Sequence, residues 1–138
     1  MGKQHKDFFR AGMIRSSIRM LIPLNKQSEA LEILGSVNTQ IQFEPGCVSS
    51  RVYRGVDEVR AIMVEELWTG DEDVLRHLQS DLYRRVLLVV EMSEEPPEIR
   101  FDTIMRSNGF EVIEKARTRR KTAEAVKDFS RRVVVSEP

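Results

Sequence analysis

From Ile14 to Ile22 the chain alternates. Ile14, Ser16, Ile18, Met20 and Ile22 fall on one side, and Arg15, Ser17 and Arg19 on the other. A period of two marks a strand with one covered face. Such a strand needs partners beside it and a layer above it, which limits what the rest of the chain can be. Pro23 ends the strand. Ala30, Leu34, Val37 and Ile41 then recur at helical spacing, predicting an amphipathic helix with Asn25 as its N-cap.

Glu44-Pro45-Gly46 reads as a turn, Cys47–Arg54 as a second strand, and Ala61–Trp68 as a third that is apolar enough to be central. Thr69-x-x-Glu72 reads as a capping box opening a short helix with Val74, Leu75 and Leu78 on one face. Leu82, Tyr83, Val86, Val89 and Val90 continue a helix after a kink near Ser80. Glu94-Glu95-Pro96-Pro97 breaks it, and Ile99, Phe101, Thr103 and Met105 alternate as a fourth strand. The order β-α-β-β-α-β predicts an α+β, ferredoxin-like subunit: an antiparallel sheet with both helices on one face. The other face is left open, and a homodimer is the expected cover for a chain of 138 residues.

Lys+Arg 22 against Asp+Glu 22 gives a net charge of zero, which argues against a general polybasic surface for nucleic acid or membrane. The charge is unevenly spread. Residues 1–20 carry five basic side chains against Asp7 (+4), residues 109–138 eight against five (+3), and residues 21–108 nine against sixteen (−7). This asymmetry divides the chain into an N-terminal arm (1–12), a folded domain (13–108) and a basic C-terminal extension (109–138). Within the extension, 109–117 reads as a short helix, 122–129 as a possible further helical turn or two, and 118–138 as mobile or partner-dependent. The run KARTRRK (115–121) reads either as a solvated face or as an arm for the acidic body of a second subunit.

A single cysteine, Cys47, cannot form an internal disulfide, and it reads as a small buried thiol with no basic sequence neighbour to activate it. The longest apolar run, Val86–Val90, is too short to span a membrane. Residues 1–11 lack the apolar stretch of a signal peptide, so a cytoplasmic protein is expected. Two histidines and one cysteine at unhelpful spacing argue against a protein-held metal. The seven glycines form neither a dinucleotide fingerprint nor a P-loop. No cofactor is expected.

The chemically informative stretch is ELWTGDEDVLRHLQSDLY, Glu66 to Tyr83. Glu66 and Trp68 lie on one face of their strand, and His77 and Tyr83 follow on the next helical segments. Together they could wall a pocket between sheet and helices, with an imidazole as proton acceptor and aromatic sides for a flat ligand. The plainer alternative makes Trp68 and Tyr83 core residues, Glu66 a solvent or interface carboxylate, and His77 a partly buried residue bonded to a neighbour.

Four short motifs resemble those of the antibiotic biosynthesis monooxygenase family of dimeric α/β barrels. They are Pro45-Gly46-Cys47 before the second strand, Glu66-Leu67-Trp68 at a strand end, His77-Leu78-Gln79-Ser80-x-x-Tyr83 on the helix, and Pro96-Pro97-Glu98-Ile99 before the last strand. The resemblance covers about residues 13–106. It implies an obligate dimer whose sheets close into a barrel, with a pocket in each subunit. For cofactor-free members it implies a small aromatic substrate that reduces oxygen itself once deprotonated. His77 would then be general base or hydrogen-bond donor to a phenolic oxygen, with Trp68, Tyr83 and Glu66 at the substrate. In haem-degrading relatives a tryptophan replaces this histidine, and the haem-ligating histidine would fall near Leu87, which cannot bind iron. The expected function is therefore a cofactor-independent monooxygenase of a quinol or phenol. The alternatives are a non-catalytic binding module on the same barrel, or a cofactor-free isomerase or decarboxylase.

Overall fold

The structure, a computed structural model, describes residues 12–131, with side chains as far as Lys127. The expected N-terminal arm, Gly12 excepted, and the chain after Arg131 lie outside the described residues. Two compact units are present, the first ending at Met105 and the second beginning at Arg106.

The first unit has the α+β, ferredoxin-like fold. Its central strand is β1 (Met13–Leu21), flanked by β3 (Ala61–Trp68) on one side and β4 (Glu98–Ile104) on the other. β2 (Cys47–Arg54) completes the sheet order β2-β3-β1-β4. All three pairings are antiparallel. The alternation in β1 decides its faces: Ile14, Ser16, Ile18 and Met20 are buried, while Arg15 is exposed and pairs with Glu65 at 3.8 Å. Register carries this alternation across the sheet. Ser50, Glu66, Ser16 and Phe101 form one row, and Cys47, Trp68, Ile14 and Thr103 the next.

Helices α1 (Leu24–Ile41), α2 (Asp71–Leu78) and α3 (Asp81–Val90) cover the apolar face. The core joins Leu34, Val37 and Ile41 of α1 and Val86 and Val89 of α3 to Met20, Ile62 and Trp68 of the sheet. These side chains are nearly inaccessible, and each fully buried aliphatic contributes about 1.5–3 kcal/mol of transfer free energy. Buried Gln27 fastens the start of α1 by donating to the carbonyls of Ile22 (3.2 Å) and Val59 (2.7 Å).

Helix ends depart from the sequence expectation. Residue Asn25 lies inside α1, and Pro23, without a side-chain cap, occupies the N-cap position. Proline needs no hydrogen-bond donor there and already has the backbone angle that helix entry requires. Gly70, not Thr69, precedes α2, and Thr69 Oγ1 instead donates to Asp73 Oδ2 at 2.5 Å. Asp71, Glu72 and Asp73 satisfy the helix dipole in place of a capping box. The expected kink is a full break: Ser80 separates α2 from α3 and caps the latter, accepting from the Tyr83 N–H at 3.2 Å. Leu75 does not share the covered face with Val74; it is 56% exposed, and His77 takes the buried position instead. Val74 and His77 lie three residues apart on one side of the helix, with Leu75 turned outward.

Edge strand β4 is also less covered than its alternation suggested. Ile99 and Phe101 are 49% and 48% exposed, although they lie on the helix-covered face. In the second unit, a single helix, α4 (Phe110–Arg131), spans 22 residues and joins the two short helical stretches expected at 109–117 and 122–129, where 118–138 was read as mobile or partner-dependent. No glycine or proline interrupts it, Glu111 accepts from the Gly109 N–H at 2.9 Å, and Arg120 reaches Glu124 one turn on at 2.8 Å. Among the described residues no helix is long and apolar enough to cross a membrane.

Candidate active site

The row Ser50–Glu66–Ser16–Phe101 passes beneath α2 and α3, and a cluster of buried polar side chains forms above it. Glu66 points from β3 into the interior with a side chain 5% exposed. Its Oε1 accepts from Ser16 Oγ at 3.2 Å and from Trp68 Nε1 at 3.3 Å. Strand period places Trp68 on the same side as Glu66, and the register opposite β1 brings Ser16 into reach.

His77 comes down from the last turn of α2 and is 1% exposed. Its Nδ1 lies 2.9 Å from Glu44 Oε1, and its Nε2 lies 3.2 Å from Glu66 Oε1. The second contact is poorly directed, so buried Nε2 has no hydrogen bond of good geometry. Rings hold the imidazole on both sides: Trp68 at 4.6 Å between centroids, tilted by 33°, and Tyr83 edge-on at 5.1 Å. Burial disfavours the charged imidazole, but the nearby carboxylates of Glu66 and then Glu44 outweigh it. The pKa of His77 is raised above its ordinary value of 6.5. Tyr83 is also raised, by burial first and by the Glu66 charge second.

Glu44 owes its position to a tight turn. Gly46 has φ of 81°, a left-handed conformation that glycine adopts without strain, and a Cβ there would overlap the Asp73 carboxylate. Asp73 is held in turn by Thr69 and by Arg76 (3.0 Å). A register shift between Cys47 and Ser49 then sets Cys47 opposite Trp68. The Cys47 thiol is pushed up to about 11 by burial, then by the charges of Glu66 and Glu44, which makes it unreactive at neutral pH.

Beside the imidazole is a cavity of about 10 Å³, room for one water-sized molecule, bounded by Ser16, Glu66, His77 and Tyr83 and by apolar side chains. A much larger open groove of about 390 Å³ adjoins it on the helix-covered face, between Asp71 and Leu75 of α2 and Ile14 and Thr103 of the sheet. Val74, Leu78 and Phe101 line both spaces and form the wall between them.

All four residues singled out from sequence, Glu66, Trp68, His77 and Tyr83, meet in this cluster. Sequence reading missed Glu44 and Ser16. Ser16 carried a signal, as the one polar residue on the apolar side of β1; Glu44 looked like any other turn residue.

The fold and this buried cluster define a ferredoxin-like α+β protein with a carboxylate-flanked histidine between sheet and helices. Residues 13–87 match the antibiotic biosynthesis monooxygenase family, and the chain belongs to it. Solved structures repeat the fold. A conserved protein from Methanosarcina mazei Go1 is 21% identical, with a TM-score of 0.63 over 70% of this chain and 96% of that one. Rv0793 from Mycobacterium tuberculosis is 17% identical, with a TM-score of 0.64 over 70% and 99%. A crystal structure of an antibiotic biosynthesis monooxygenase is 12% identical, with a TM-score of 0.61 over 67% and 99%. No protein in the curated set matches the sequence.

Proposed function

We propose that this protein is a cofactor-independent monooxygenase that oxidises a small quinol or phenol with O2, using His77 as the proton acceptor. One observation carries the reading. Buried His77 lines a cavity and its Nε2 lacks a directed hydrogen bond, while Nδ1 is held by Glu44. An imidazole held at one nitrogen and without a directed hydrogen bond at the other is arranged to take a proton from a bound hydroxyl.

Deprotonation makes a phenol electron-rich enough to reduce oxygen directly. One oxygen atom enters the ring as a carbonyl, and the other leaves as water with the hydroxyl proton and the displaced ring proton. The overall change, phenol plus O2 to quinone plus water, balances without an added reductant. Trp68 and Tyr83 keep the imidazole upright, and Glu66 faces the nitrogen that receives the proton. The adjoining groove, about 390 Å³ and largely apolar, suits the body of a small aromatic. For its hydroxyl to reach His77 in this reading, the side chains shared by the two spaces, among them Leu78 and Phe101, must move.

The working unit in this reading is a homodimer. The open face of the sheet carries Arg15, Arg19, Glu65, Glu98 and Tyr53, a mixed surface that a second copy would cover.

A second reading rests on the size of the buried cavity. Space for a single water beside His77 is also what a non-catalytic binding module on this fold would show. Oxygen consumption with a panel of hydroquinones and naphthols, corrected for autoxidation, separates the two. The oxygenase predicts uptake that falls at least tenfold in His77→Gln, since a positioned base is worth about 10²–10⁴ in rate. No uptake across the panel would favour the binding module. Uptake without His77 dependence would overturn its role as base.

A further inference from the structure

A proton taken from a substrate in this site cannot pass straight to solvent, because His77 is 1% exposed and Glu66 4%. The reaction proposed above also needs that proton back, to form water from the second oxygen atom. Something must hold it in between. Glu44 is the group in contact with the far side of the ring: its Oε1 lies 2.9 Å from Nδ1, and its side chain, 20% exposed, reaches the surface.

We propose that Glu44 is the proton store of this site, reached from the substrate through the two nitrogens of His77. The inference rests on the reading of His77 as proton acceptor. In the working form His77 is neutral, with its hydrogen on Nδ1. As the substrate O–H bond breaks, an N–H bond forms at Nε2, the Nδ1–H bond breaks, and the proton passes to Glu44 Oε1. The imidazole stays neutral and the negative charge moves from Glu44 to the substrate oxygen. When the oxygen–oxygen bond later breaks, Nε2 gives its proton to the departing oxygen and Glu44 returns one to Nδ1. Atoms, charge and the starting tautomer are all restored.

The surroundings favour this path over its neighbours. Glu66 faces Nε2 and already accepts from Ser16 and Trp68, so its oxygen is held by two donors. Tyr83 meets the ring edge-on from α3, and Cys47, near both carboxylates, holds its own proton at neutral pH. On α2 itself, Asp73 and Arg76 pair with each other at 3.0 Å. Glu44 is thus the one described carboxylate in contact with Nδ1 that also opens to water. Glu44 acts through His77 and does not touch the substrate.

The test needs no substrate. With ¹⁵N-labelled histidine, the full chain shows only His5 and His77, so the ring N–H of His77 can be followed by NMR. Glu44→Gln keeps an acceptor for the Nδ1–H but cannot take its proton. Exchange of that ring proton with water is expected to slow at least tenfold, while the His77 titration moves to lower pH. An exchange rate equal to that of the wild type would overturn the store. If Glu44→Gln does not fold, Glu44→Asp asks the same question, because shortening the arm opens the 2.9 Å contact and must slow exchange. Oxygen uptake is then read on the same variant. Its acid limb should shift to lower pH while its plateau falls, a combination that a purely structural Glu44 would not produce. Unchanged exchange beside normal oxygen uptake would reject the store alone. Slowed exchange in a chain that consumes no oxygen would support the proton path and reject the oxygenase.

Discussion

Glu44 and His77 meet at 2.9 Å although 33 residues separate them in sequence, and Glu66 approaches the opposite nitrogen of the same ring at 3.2 Å. The buried histidine thus lies between two carboxylates on different elements. Its charge state and its contribution to stability both depend on that arrangement.

Replacing the histidine should weaken the fold. In His77→Ala, Glu66 keeps Ser16 and Trp68 as donors but loses the group that offsets its charge in the interior. Breaking one partner out of a buried pair costs about 3–5 kcal/mol. Urea denaturation at pH 6.5 should report a loss of that order without a change in the slope.

The same pair gives stability a pH dependence of known sign. The folded pKa of His77 is raised, so the folded state holds the proton more tightly than the unfolded chain. The stabilisation is complete below the unfolded pKa of about 6.5 and is lost as pH rises through the folded value. Wild type minus His77→Gln, compared by thermal unfolding from pH 6 upward, should therefore shrink as the solution becomes more alkaline. A constant difference would contradict the shifted histidine.

Removing one carboxylate at a time should move the histidine in a fixed direction. Glu66→Gln retains the shape of the side chain and loses its charge, so the His77 titration should fall to lower pH. Tyr83, which Glu66 holds up in second place after burial, should follow in the same direction. NMR titration of the two rings checks both.

Gly46→Ala should be costly for two separate reasons. A left-handed backbone costs a non-glycine residue about 1–2 kcal/mol, and the added methyl group would meet the Asp73 carboxylate. Thermal unfolding should show a loss of at least that size. Because the turn carries Glu44, the His77 titration should fall as well, whereas a stability loss with an unchanged histidine would detach the turn from the site.

Cys47 should resist alkylation. A thiol pushed from 9.0 to about 11 has about a hundredfold less thiolate at neutral pH than an unperturbed one. Iodoacetamide labelling of the folded chain should be slower by at least that factor, and urea should restore the ordinary rate.

Much of the fold was legible because strand period is strict. The alternation from Ile14 to Ile22 and the pair Glu66 and Trp68 assign side chains to faces without knowledge of the partners, and the breaks at Pro23, Pro45-Gly46 and Pro96-Pro97 mark where elements end. His77 and Tyr83 could be placed near that face because their helices had to cover it. Helix ends were less legible. Local signals at Asn25 and Thr69 competed with Pro23 and Gly70, and backbone geometry favoured the latter pair.

The sequence by itself determined the order of the elements, the covered side of each central strand, and four of the polar or aromatic residues that meet beneath α2. Periodicity encodes facing, and facing is a local property. Only the tertiary structure decided that Glu44 reaches Nδ1, that Ser16 and Trp68 share one oxygen of Glu66, and that the groove beside β4 stays open. Those outcomes depend on where a turn, a sheet register and an edge strand come together in space. Distance along the chain carries no information about such meetings, and a buried charge is stable only where they occur.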